Sequence, residues 1–99
     1  MDNFIILVPA KNGNSRYDLE KTKRDLFEQW NENEFIYEKY DDAYEKFSIK
    51  YEKDIKELLN KGKSIRKFRI ILLKTDKENY FDFICFFDKA KLPYKRMKK

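Results

Sequence analysis

The residues Ile36, Tyr40, Ala43, Tyr44, Phe47, Tyr51, Ile55, Leu58 and Leu59 recur at steps of three and four, a period that only an α-helix turns into one continuous face. This stripe predicts a helix over residues 36–61 whose apolar side is wide enough to cover a sheet. Gly62 follows at the position of a left-handed stop, with Lys61 and Lys63 complementing the negative helix end. A shorter stripe, Leu19, Leu26, Phe27 and Trp30, predicts a first helix over 18–30, entered through Ser15 or Asp18 as a cap. Residues 35–37 read either as a short strand or as the first turn of the second helix.

Three β-rich runs remain. Phe4 to Val8 is short, β-branched and aromatic, and Pro9, which cannot donate to a ladder, is expected to close a strand over 3–8. Ile65 to Thr75 and Tyr80 to Asp88 flank Asp76-Lys77-Glu78-Asn79, a connection of hairpin length. In the last run Phe81, Phe83, Cys85 and Phe87 alternate, and this odd face is expected to meet the helices. Ile70 to Leu73, with Ile84 and Phe86, make the sheet apolar on its other face as well, which calls for a second cover such as a homodimer or a partner.

Together these runs predict an α+β fold, a three-stranded, mainly antiparallel sheet of residues 3–8, 65–75 and 80–88 with two helices on one face, in the order β-α-α-β-β. One domain is expected over 1–92, with a basic tail over 93–99. At 99 residues the chain is long enough for a single core. Its longest apolar runs, Phe4 to Val8 and Phe83 to Phe87, are far below the ~18 residues of a membrane span, so a cytoplasmic protein without membrane contact is expected.

Residue types narrow the chemistry. Histidine is absent and Cys85 is the sole cysteine, so the chain alone offers no zinc finger, internal disulfide or histidine-based nucleophilic triad. Asn12-Gly13-Asn14 is too poor in glycine to cradle phosphates. Asp54-Ile55-Lys56 spells part of a nuclease motif, but two residues on a helix point about 200° apart. Asp41 and Asp42, helix neighbours, do not converge as an acid/base pair. No catalytic residue, metal or cofactor is assigned.

Charge carries the functional reading. Residues 1–60 hold ten basic against fourteen acidic side chains, a net of −4, while residues 61–99 hold thirteen against four, a net of +9. Lys39 is the only base within the acidic segment 28–45. Such polarity steers a molecule toward a phosphate backbone or a protein of matching charge.

Asn79-Tyr80-Phe81-Asp82-Phe83-Ile84-Cys85-Phe86 resembles the RNP1 strand of RNA-recognition motif domains, with Phe81, Phe83 and Phe86 at the stacking positions. Asn79, Tyr80 and Asp82 depart from that motif, and a core strand is the preferred reading. The element order on a small basic chain is similar to RelE-type ribosome-dependent toxins, which cleave messenger RNA with Lys, Arg and Tyr. Tyr94, Lys95 and Arg96 supply those residue types, and the resemblance implies ribonuclease activity.

The preferred function is a small non-enzymatic binding protein that acts by protein contact on nucleic-acid-handling machinery. Glu34, Tyr37, Glu38, Asp41, Asp42 and Tyr44 would dock a basic channel as a phosphate mimic, in the manner of inhibitors carried by mobile elements. The alternative is direct, sequence-independent DNA or RNA binding by Arg66, Lys67, Arg69, Lys91, Lys95 and Arg96.

Overall fold

The computed structural model describes residues 2–14, 18–30 and 39–97. Six elements follow in order: β1 (Asp2–Asn14), α1 (Leu19–Trp30), α2 (Tyr40–Gly62), β2 (Phe68–Thr75), α3 (Tyr80–Lys89) and β3 (Tyr94–Met97). The fold is α+β, with one antiparallel sheet of strand order β2-β1-β3. The expected status of residues 35–37 and the cap at Ser15 lie outside the described residues.

β1 is central, and its alternation supplies both faces. Ile5 and Leu7 point to α1 and α2, where they join Leu26, Phe27, Phe47, Tyr51, Ile55, Leu58, Phe68 and Ile70 in the larger core. Phe4 and Ile6 point the other way, to Phe87 of α3. None of these four β1 residues is more than 3% exposed.

α1 starts where Asp18 accepts the otherwise orphaned Glu20 amide on Oδ1 at 2.8 Å and, on its carbonyl, the first helical bond from the Thr22 amide at 3.0 Å. Rings then join the two long helices. Phe27 meets Tyr44 and Phe47 with centroids 5.5 and 5.4 Å apart, and Trp30 meets Phe47 at 5.3 Å.

Residues 80–89 are a helix, not the expected strand, so neither the hairpin nor the RNP1-like strand exists. Tyr80, Phe83, Ile84 and Phe87 fall on one helical stripe and pack against Phe4, Ile6, Leu73 and Tyr94. Phe87 sits among rings, with centroids 5.5 Å from Phe4 and 5.1 Å from Tyr94. Cys85 is exposed, and so are Phe81 at 73% and Phe86 at 59%. The helices therefore divide between the two faces, α1 and α2 on one and α3 on the other. The apolar second face has its cover within the chain, and the sheet itself gives no reason for a homodimer.

Residues 94–97 are also not a free tail. They pair with β1 as its second neighbour, Asn3 opposite Met97 and Ile6 opposite Tyr94. Lys98 and Lys99 lie outside the described residues.

Pro9 does not end β1. The Leu7 amide donates to the Pro93 carbonyl and the Ala10 amide to the Lys67 carbonyl, so alternate residues address β3 and β2. Position 9 faces the β3 side beyond the end of that strand, where no ladder donor is required. The pairing then slips, since both Pro9 and Asn14 lie opposite Phe68.

The two glycines both serve Phe68. A Cβ on Gly13 would overlap the Phe68 carbonyl and stand 2.8 Å from its nitrogen, and one on Gly62 would overlap the Phe68 ring. Gly62 is consequently a packing residue within α2, not the left-handed stop expected, and the turn continues through right-handed Lys63.

Among the described residues the left-handed one is Lys91, at φ 55°. It closes α3, because the Leu92 amide reaches back to the Phe87 carbonyl at 2.9 Å and the Lys91 amide to that of Asp88 at 3.2 Å.

Two stability outcomes follow. Replacing Lys91 with glycine removes the left-handed penalty on a side-chain-bearing residue and should raise unfolding stability by ~0.5–1 kcal/mol in urea titrations. Gly13→Ala forces main chain against main chain and should lower it by ~1–3 kcal/mol, whereas Asn12→Ala at the neighbouring exposed site should change it by less than ~0.5 kcal/mol.

Candidate nucleic-acid interface

α2 acts as a charged strut. Its 23 residues span about 34 Å at 1.5 Å per residue. Asp41, Asp42 and Glu45 are exposed at its start, and its end runs straight into the turn that carries Lys63, Arg66 and Lys67. The Ile65 amide bonds back to the Gly62 carbonyl at 2.9 Å, which folds this turn against the helix end.

The Ala10–Lys67 main-chain bond brings β1 alongside the same turn and with it Lys11. Lys11, Lys61, Lys63, Arg66 and Lys67 are all exposed, and neither residues 9–14 nor residues 61–75 contain an acid. Pro9, Ala10, Lys11, Ile65, Arg66 and Lys67 line an open cleft of about 550 Å³ between them. Lys11 was not visible as a candidate, because the strand was expected to end at Val8 and only the register shows which turn it joins.

The other basic candidates are dispersed. Arg69 is exposed on β2, opposite Val8, on the α3 side of the sheet. Lys91 is exposed and committed to the end of α3. Lys95 and Arg96 point to opposite faces of β3, as strand neighbours must. Lys95 pairs with Glu57 of α2, a contact that pushes the lysine pKa up and holds the Glu57 carboxyl below the usual range. Arg96 lies over the Tyr80 ring, 4.6 Å from its centroid. Tyr94 shares the Arg96 face but packs against Phe4 and Phe87. Tyr94, Lys95 and Arg96 therefore do not gather into one site of the kind implied by the toxin resemblance.

Of the acidic candidates, Asp41 and Asp42 are exposed in the first turn of α2, while Glu34, Tyr37 and Glu38 lie outside the described residues. Tyr44 is not a surface ring. It is 7% exposed, its hydroxyl donates to Glu20 Oε1 at 2.5 Å, and the Arg24 guanidinium lies 4.3 Å from its ring centre. Lys23 is buried beside it, joins α1 to α2 through Ser48 at 2.9 Å, and pairs within α1 with Glu20 at 3.1 Å.

Comparison of the chain with protein-family models, with curated proteins and with solved structures finds no match. Among the described residues no helix is long and apolar enough to cross a membrane.

The α1–α2 contact has its own pH signature. Burial, and then the hydrogen bond to Glu20, push the Tyr44 phenol from 10.0 up to about 12. A group with a raised folded value gives its full stabilisation below its unfolded value and loses it as pH climbs through the folded one, so the contribution fades between pH 10 and 12. An absorbance titration should show a tyrosinate that forms only near pH 12 and vanishes in Tyr44→Phe. In that variant the alkaline fall in stability should be shallower.

Proposed function

We propose that the protein binds DNA or RNA directly, largely without regard to sequence, through the cation cluster of Lys11, Lys61, Lys63, Arg66 and Lys67. The observation that carries this reading is the meeting of Lys11 with Arg66 and Lys67 around one cleft beyond the end of α2, with Lys61 and Lys63 exposed in the adjoining sequence. Phosphate oxygens meet several ammonium and guanidinium donors there, with release of condensed counterions as the favourable term.

The acidic half of the sequence does not oppose this. Asp41 and Asp42 stand about 30 Å from the cluster along α2, several times the ~8 Å screening length of physiological salt. Their repulsion of a polyanion docked at the other end is small. They would orient the molecule, drawing the basic end in and turning the acidic end out. Docking by the acidic segment as a phosphate mimic is the weaker reading, since Tyr44 contributes its ring to the core instead of to a partner.

Fluorescence anisotropy with labelled DNA and RNA across a salt series tests the proposal. Arg66→Glu combined with Lys67→Glu should weaken binding at least about tenfold and lower the salt slope by about two. Lys95→Gln should leave the slope within experimental error, because that ammonium is already paired with Glu57. Asp41→Lys with Asp42→Lys should change affinity less than about twofold. Loss of affinity on changing Lys95 but not on reversing Arg66 and Lys67 would move the interface to β3 and defeat this reading.

A further inference from the structure

We infer that the cleft at the cation cluster receives an unpaired base with its sugar, so that the protein binds single-stranded nucleic acid in preference to duplex. The inference rests on the nucleic-acid reading above and assigns its substrate class.

The cleft comes from two local events. The pairing of β1 with β2 slips between Pro9 and Asn14, so residues 10–13 have no place in the ladder, while the Ala10–Lys67 main-chain bond holds the turn after α2 alongside them. The two segments line an open surface cleft of about 550 Å³, roomy enough to admit one nucleoside from solvent.

Its lining separates by chemistry. Pro9, Ala10 and Ile65 are apolar and offer a surface to the flat face of a base, while Lys11, Arg66 and Lys67 bring cations for the flanking phosphates. A duplex keeps its base faces stacked and presents a convex ridge of phosphates, so it engages the cations and leaves the apolar part of the cleft in contact with water. An unstacked base fills that part, and the Arg66 guanidinium supplies a further plane for stacking. None of these six lining side chains carries a hydrogen-bond acceptor, so they offer the amino groups of a base no side-chain partner.

Anisotropy at matched salt, with one labelled oligonucleotide tested alone and as its blunt duplex, should give about tenfold tighter binding of the single strand. Ala10→Ile narrows the cleft without adding an aromatic surface. It should remove that preference, lowering single-strand affinity more than duplex affinity, with thermal unfolding used to check that the variant is folded.

NMR titration of the unaltered protein provides a test that needs no variant. A nucleoside monophosphate should shift the amides of Ala10 and Ile65 together with those of Arg66 and Lys67, and inorganic phosphate should shift only the latter pair. Equal binding of single strand and duplex overturns the inference and leaves the function standing. So does retention of the preference in folded Ala10→Ile, or an equal response of Ala10 and Ile65 to inorganic phosphate. Failure to bind either form at low salt overturns both.

Discussion

Four consecutive residues of β1, Phe4 to Leu7, are buried on alternating sides of the same strand, and the remaining elements are arranged around that fact. A strand apolar on both faces cannot be left on a surface or at an edge. It needs a neighbour on each side for its amides and a layer on each face for its side chains. β2 and β3 meet the first need. The pair α1 and α2 meets the second on one face, and the short aromatic helix α3 meets it on the other. Folding a chain of this size into three layers leaves α3 only partly sunk, which is why Phe87 is buried while Phe81 and Phe86 face outward.

The same arrangement distributes charge. α2 must be long to cover the sheet and to reach α1, and its length holds the acids of its first turn away from the cations beyond its last. A net charge of +5 therefore understates both ends of the molecule. Glu57 with Lys95 and Glu52 with Lys23 are pairs of acid and base that lie between elements and act in assembly. The cations that remain exposed together are those of a turn and a strand bulge, neither of which has an acid to offer.

How far the sequence discloses this can be argued residue by residue. The stripe from Tyr40 to Leu59 admits one period and forms the helix it demands, while the run Phe4 to Val8, short and rich in β-branched residues, forms a strand. Residues 80–87 contain Asp82 as their one charged side chain, so the alternation Phe81, Phe83, Cys85, Phe87 and the helical stripe Tyr80, Phe83, Ile84, Phe87 are both present. What decides between them is the bare second face of β1, a tertiary demand with no local signature. β3 is hidden for a related reason. Tyr-Lys-Arg-Met has little strand character until Glu57 takes the lysine and Tyr80 the arginine. In the candidate site, Arg66 and Lys67 are legible from charge alone, whereas Lys11 and the cleft depend on strand register. Tyr44 misleads because its place in the helical stripe does not reveal that α1 lies against it.

The pairing of Asn3 with Met97 has a consequence for how the molecule comes into being. On a ribosome β1 emerges well before either of the strands that flank it, and β3 is the later of the two. The helical pair can dock early through contacts close in sequence, but the most apolar strand has to wait for its ladder. Closing such long loops is slow, and an unpaired strand of this character invites association with other chains in the interval. The order of synthesis thus runs opposite to the order of structural dependence, and the element at the centre of the finished protein is the one most in need of shelter while it is being built.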